Sequence, residues 1–99
     1  MSTDNTVEKL RALSHPIRLD IATLLAKQGE MYLNQIANCL KINRALAKIH
    51  LKKLESSGIV ISRVVLVEGE AKALRYYTLR DFDIRVSPEI LKGGVKNKR

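Results

Sequence analysis

Three cations recur at four-residue intervals in the middle of this 99-residue chain, Arg44, Lys48 and Lys52, with Lys41 just before them and Lys53 just after. On a helix, residues four apart lie one above the other, so such a row forms a cationic face. A face of this kind neutralises a polyanion, because each phosphate it meets releases condensed counterions. The other reactive side chains are scattered. Cys39 is the sole cysteine, and beside the apolar Ile36, Ala37 and Leu40 it reads as a small buried hydrophobe. It permits no internal disulfide and fits a reducing compartment. His15 and His50 stand apart from any His, Cys or carboxylate at ligand spacing, which makes them structural hydrogen-bonding groups. Asp81 and Asp83 flank Phe82, and on an alternating strand they would share a solvated face. There is no nucleophile with a base, no glycine-rich phosphate loop and no carboxylate pair in an apolar setting. The chain is therefore not expected to be an enzyme, and neither metal nor cofactor is implied.

Composition narrows the polyanion. Apolar residues make up 45% and charged residues 28%, the balance of an ordinary soluble domain, and the length suits one domain over residues 1–99. No apolar run nears the roughly 20 residues that cross a bilayer, and the polar residues 1–6 lack the basic and apolar regions of a secretion signal, so a cytoplasmic protein without membrane contact is expected. Lys and Arg outnumber Asp and Glu by 18 to 10, giving a net charge of +8. Residues 1–40 hold four basic and four acidic side chains, so the whole excess lies in residues 41–99. Charge alone would suit RNA or an anionic membrane equally well. The absence of tryptophan and the single phenylalanine speak against an aromatic platform for single strands.

The elements that must hold these cations can be traced from periodicity and caps. Val7, Leu10 and Leu13 recur at helical spacing and predict a short amphipathic helix over 5–13. Pro16 belongs in a first helical turn, with Ser14 or His15 as cap, and Ile17, Ile21, Leu24 and Leu25 form the stripe of a second helix over 16–28 that stops at Gly29. Leu33, Ile36, Ala37 and Leu40 give a third helix over 33–40. Asn43 caps a fourth, in which Ala47, Leu51 and Leu54 face inward and which Gly58 ends. Residues 59–67 are dominated by β-branched side chains and residues 74–79 contain Tyr76, Tyr77 and Thr78, so two strands joined by the polar connection 68–73 predict a hairpin. Tyr76 and Tyr77 point to opposite faces, one core and one exposed. Residues 80–86 alternate like a strand, residues 88–92 suit a brief helical turn, and the Gly- and Lys-rich end 93–99 should fray.

Two short helices joined by Lys41, Ile42 and Asn43, the second basic and followed by a hairpin, match a winged helix-turn-helix in the α+β class, with three to four core helices and a two-stranded wing. In that arrangement the second helix lies in the major groove of duplex DNA and the hairpin meets the backbone or minor groove. Arg44, Ala45, Lys48 and Ile49 lie on its early, outward part and are the candidates for base contacts. Arg44 or Lys48 could donate to guanine O6 and N7, while Ala45 or Ile49 could pack on a thymine methyl. Lys41, Lys52 and Lys53 are placed for phosphates, the cap Asn43 is a further DNA-binding candidate, and Arg63, Lys72 and Arg75 are the cationic candidates on the wing.

The stretch ALSHPIRLDIATLL at residues 12–25 resembles the opening of the bacterial and archaeal ArsR-type winged-helix repressors. IANCLKINRALAKIHLKKLESSGIV at residues 36–60 resembles their helix-turn-helix, with Ile36, Ala37, Leu40, Ile42, His50, Leu51, Leu54, Gly58 and Ile59 at the pattern positions. The resemblance spans residues 7–79. It implies a homodimer on an inverted-repeat operator, with the recognition helix on residues 44–56. The founding members hold a metal through a Cys-Val-Cys arrangement on the third helix, whereas Cys39 alone cannot make a thiolate site, so metal sensing through that site is not expected.

Apolar side chains at both ends, Val7, Leu10 and Leu13 with Ile84, Val86, Ile90 and Leu91, are more than a small monomer should leave wet, and they predict an isologous dimer through residues 1–15 and 80–99. The helix-turn-helix is placed at 33–57 and the wing at 59–79. Two other readings stand beside a sequence-specific repressor of transcription: an architectural binder with little sequence preference, and a winged helix that meets proteins within a transcription complex. Neither an effector nor the operator can be read from these residues.

Overall fold

A computed structural model describes residues 3–94, with side chains from Asn5 onward. The last five residues of the basic end lie outside the described residues. Helix α1, Thr3–Leu13, begins two residues before the predicted start at residue 5. Helix α2, Pro16–Gln28, starts where proline's missing N–H is harmless, and its N-cap is His15, whose Nδ1 accepts the Ile17 amide at 3.1 Å. It buries Ile21, Ala22 and Leu25 and ends at Gly29, whose φ of +82° is open to glycine and whose N–H donates to the Leu25 carbonyl. Helix α3, Leu33–Leu40, and helix α4, Arg44–Ser56, follow at the predicted positions.

Strand β2, Val60–Leu66, and strand β3, Ala73–Leu79, form the predicted antiparallel hairpin, with Ser62 opposite Tyr77 and Val64 opposite Arg75. At its tip the Glu70 N–H donates to the Val67 carbonyl around Gly69, whose positive φ suits the third position of a tight turn. A third strand joins the sheet. The two-residue strand β1, Met31–Tyr32, pairs with β3 and gives the order β1-β3-β2. Two residues cannot display a period, which is why the sequence did not predict β1.

The core lies where α2, α3 and α4 meet the base of this sheet. Ile21, Ile36, Ala47, Leu51, Leu54 and Ile59 are wholly buried there, with Tyr77 of β3 on its edge. The apolar repeat of α4 and the β-branched base of β2 are thus one packing unit, so the direction of the wing is fixed relative to the helix.

Three expectations need correction. Residues 80–86 form no strand: the Arg80 N–H reaches the Ile59 carbonyl at 2.8 Å, but β2 offers no backbone beyond that point to pair with. The segment instead sets Phe82 against the core, and helix α5, Pro88–Lys92, follows. Cys39 is exposed. At 100° per residue it falls about 60° beyond the edge of the stripe made by Leu33, Ile36, Ala37 and Leu40. The two histidines are not isolated, since their ring centroids lie 4.4 Å apart between α2 and α4.

Candidate nucleic-acid interface

Two backbone devices set the pose of α4. Asn43 caps its N-terminus, with Oδ1 accepting the Leu46 amide at 2.8 Å. Its C-terminus closes with the Ile59 N–H on the Leu54 carbonyl and the Gly58 N–H on the Glu55 carbonyl, Gly58 standing at φ +82°. Between these ends the helix has two chemically distinct sides. Ala47, His50, Leu51 and Leu54 are buried, while Arg44, Ala45, Lys48, Ile49 and Lys52 are exposed, Ile49 to 55%.

The inner side carries one polar group, and it is hydrogen-bonded through one ring nitrogen. His50 Nδ1 lies 3.2 Å from a guanidinium nitrogen of Arg18, whose Nε donates to the Ala12 carbonyl at 2.6 Å. Arginine only donates, so His50 Nδ1 accepts and the ring is neutral with its proton on Nε2. Burial first, then the neighbouring His15, Arg18 and Lys53, hold its pKa below the ordinary histidine value.

The outer side faces strand β3 across an open trough. Two adjoining recesses of about 150 and 330 Å³ run along it, and both are lined by Lys48, Arg75 and Tyr77. Arg44 and Asn34 line one end, and Lys52 and Glu55 line the other. Arg44 Nε donates to Asn34 Oδ1 at 2.7 Å, which holds its guanidinium against α3 and leaves the terminal nitrogens to point elsewhere. Among the described residues the side-chain ion pairs are Arg63 with Glu30, Lys72 with Glu70, and Arg85 with Asp83. None of the four trough cations, Arg44, Lys48, Lys52 and Arg75, belongs to one.

The structure therefore sorts the residues chosen from sequence. Arg44, Lys48, Lys52 and Arg75 converge on the trough, and Ala45 and Ile49 stand exposed beside them. Lys41 is exposed in the turn before α4 with φ at +56°. Lys53 lies on the opposite flank, where it lines a recess with Glu8, Arg11 and Arg18. Arg63 shares the sheet face of its cross-strand partner Tyr76, opposite to that of Arg75, and forms a two-point pair with Glu30 at 2.8 Å that raises the arginine and lowers the glutamate pKa. Lys72 sits at the hairpin tip with Glu70. Of the terminal apolar residues, Val7, Leu10, Val86, Ile90 and Leu91 are exposed, whereas Leu13 packs on the core and Ile84 is half-buried.

Sequence reasoning missed Asn34, Glu55, Ser62 and Tyr77. The first three carry no local signal, since each acts through a partner 7 to 13 residues away. Alternation did show that one of the two tyrosines is buried without showing which.

Comparison with known proteins agrees with this architecture. The family model described as "Bacterial regulatory protein, arsR family" matches residues 15–62, from the cap of α2 into β2. An HTH-type transcriptional regulator of Methanocaldococcus jannaschii is 34% identical over 98 residues, which is 99% of this chain and 100% of that protein. The homodimeric winged helix-turn-helix DNA-binding domain (fragment 1–100) of a possible ArsR-family regulator from Mycobacterium bovis is 34% identical, with a TM-score of 0.64 over 77% of this chain and 64% of that one. The transcriptional regulator HlyU from Vibrio vulnificus is 29% identical, with a TM-score of 0.60 over 76% of this chain and 71% of that one. The helix-turn-helix, the wing behind it and relatives that match along nearly the whole length place the chain in the ArsR family of winged-helix transcriptional regulators, a family of regulators and not of enzymes.

Proposed function

We propose that this regulator is a repressor that binds double-stranded DNA sequence-specifically, as a homodimer on an inverted-repeat operator. The observation that carries the reading is the outward side of α4, where Arg44, Lys48 and Lys52 converge with Arg75 of the wing and none has a carboxylate in ion-pair contact. Cations gathered without counterions are poised for an external polyanion. In this pose the early residues Arg44, Ala45, Lys48 and Ile49 meet base edges in the major groove, and Lys41, Lys52 and Arg75 meet phosphates. Residues 33–57 serve as the helix-turn-helix and residues 59–79 as the wing.

The homodimeric state of the Mycobacterium bovis domain supports the same assembly here, through Val7 and Leu10 of α1 and Val86, Ile90 and Leu91 around α5. Two recognition helices would then enter successive major grooves about 34 Å apart. Selection of bound fragments from a random duplex library tests preference, symmetry and spacing together. A palindromic consensus is expected, with Arg44→Ala relaxing preference at one position of each half-site and Lys52→Ala weakening all sequences alike. Equal affinity for every duplex would replace the reading with an architectural binder, and a monomeric mass in sedimentation at micromolar concentration would remove the dimer.

A further inference from the structure

One polar group in the trough is unused by the fold. Tyr77 is 3% exposed, its ring sealed into the core between β1 and β2, yet its side chain makes no hydrogen bond to any described residue. No buried side-chain nitrogen or oxygen among the described residues lacks a partner. The phenolic oxygen therefore keeps contact with solvent, and Tyr77 borders both recesses of the trough. Burial holds its pKa above the usual phenol value, with Glu55 adding to the rise and Arg75 and Arg44 opposing it, so at neutral pH the group is an O–H donor.

Beside it Arg75 is held in one direction. A guanidinium nitrogen of Arg75 donates to Ser62 Oγ at 3.0 Å, and Ser62 Oγ donates to Glu55 Oε2 at 2.6 Å. Arginine only donates, a carboxylate only accepts and a hydroxyl does both, so the order of the relay is fixed by chemistry. It ties strand β3 through β2 to the last turn of α4. It also explains why a carboxylate stands at the end of a trough whose other charges are positive.

We infer that Tyr77 and Arg75 form a seat for one backbone phosphate of the duplex, with Lys48 and Lys52 on the facing wall, and that Ser62 and Glu55 are positioning residues which aim Arg75 at it. The inference rests on the duplex-binding reading above. A donor without a partner, four cations without ion pairs and a guanidinium held by a neutral hydroxyl all face the same open volume. A phosphate oxygen accepts from Tyr77, Arg75 and Lys52, while Arg44 and Lys48 extend from the same volume toward base edges.

The test measures affinity for one duplex of fixed length across a range of salt, together with the melting midpoint of each variant. Tyr77→Phe removes a neutral donor and keeps the ring, so it should lose about tenfold in affinity on any sequence, as a hydrogen bond to a charged group does, with the salt slope unchanged. Arg75→Ala should lower that slope by about one per protomer, about two for the dimer. Glu55→Ala is decisive in sign. Removing a negative charge near a polyanion should tighten binding if Glu55 acts by charge alone, whereas loss of the relay weakens it several-fold, and Ser62→Ala should do the same. Glu55→Gln keeps an acceptor for Ser62 and should restore wild-type affinity or better. Wild-type affinity in Tyr77→Phe, or tighter binding in Glu55→Ala, would overturn the seat while leaving duplex binding itself intact. A wild-type protein that binds no duplex would instead remove the reading beneath it.

Discussion

The two sides of helix α4 hold the same kinds of side chain under opposite rules. On the inner side Arg18 meets His50 and the Ala12 carbonyl, and no fully buried side-chain nitrogen or oxygen among the described residues lacks a partner. On the outer side Arg44, Lys48, Lys52 and Arg75 gather with no carboxylate in contact. The first arrangement is one that folding alone would produce, since a buried polar group without a partner is costly. The second gives folding little beyond the hydrogen bonds of Arg44 to Asn34 and Arg75 to Ser62, because like charges in one trough repel. Satisfaction by the protein's own groups is thus the criterion that separates structural cations from those held for an external partner, and it divides the wing as well, where Arg63 pairs with Glu30 on one face and Arg75 faces the trough on the other.

The largest effects should come from breaking the inner side. Leu51 is wholly buried among α2, α3 and the base of the sheet, and Leu51→Ala should cost about 2–5 kcal/mol in urea unfolding. The outer side offers the matched control. Replacing Arg44, Lys48 and Lys52 together by alanine should leave the unfolding free energy within about 0.5 kcal/mol of wild type for each site, as exposed substitutions do, while lowering the salt slope of duplex binding by about one per protomer through Lys52 and abolishing base preference through Arg44 and Lys48. A triple variant that unfolds as readily as Leu51→Ala would erase the distinction between the sides.

Acid should act next, and only from within. His50 is held neutral by its acceptor role, and its folded pKa lies below the ordinary value. Once the pH falls below that ordinary value, near 6.5, the unfolded chain takes up a proton that the folded chain refuses. More protons bound in the unfolded state means stability that rises with pH, so stability is retained above that point and lost as pH falls from it toward the depressed folded value. Denaturant titrations at several pH values should show this loss, and His50→Gln, which can still accept from Arg18, should flatten it. An unchanged pH dependence in that variant would mean that other groups carry it.

The wing supplies a smaller contrast. Arg63→Ala breaks a surface pair, 61% and 33% exposed, and should leave the salt slope of duplex binding where it was. A fall equal to that of Arg75→Ala would return Arg63 to the phosphate-contacting set.

How far these distinctions were legible in the sequence depends on their range. Helices α2, α3 and α4 and both long strands were readable because period, caps and turn residues are local signals, and Pro16, Asn43 and Gly58 act within a turn of where they stand. The cationic row on α4 was readable for the same reason. Partnership was not. His15 and His50 are 35 positions apart and Arg63 and Glu30 are 33 apart, and both pairs form because the sheet and the helices fold onto one another. The alternation in residues 80–86 was real, but a strand needs a neighbour, and β2 supplies none beyond Ile59.

The finest contrast lies between two helix ends with one geometry. Helix α4 closes with the Ile59 and Gly58 amides on the carbonyls of Leu54 and Glu55, and helix α3 closes in the same pattern with the Ile42 and Lys41 amides on Ala37 and Asn38. The left-handed position is Gly58 in one and Lys41 in the other, at φ +82° and +56°. A side chain there costs about 1 kcal/mol that glycine avoids. Nothing in the fold calls for lysine, since the bonds that close α3 come from the backbone, and the exposed ammonium stands in the turn that leads into the cationic side of α4. Lys41→Gly should therefore raise the unfolding free energy by about 0.5–1 kcal/mol, a gain moderated by the freer unfolded chain, and should weaken binding to every duplex while lowering the salt slope by about one per protomer. Stability and binding would then move in opposite directions from a single substitution. A variant that gains stability and binds as before would show that the lysine is not held for phosphate, and one that gains none would show that the strained backbone costs the protein nothing.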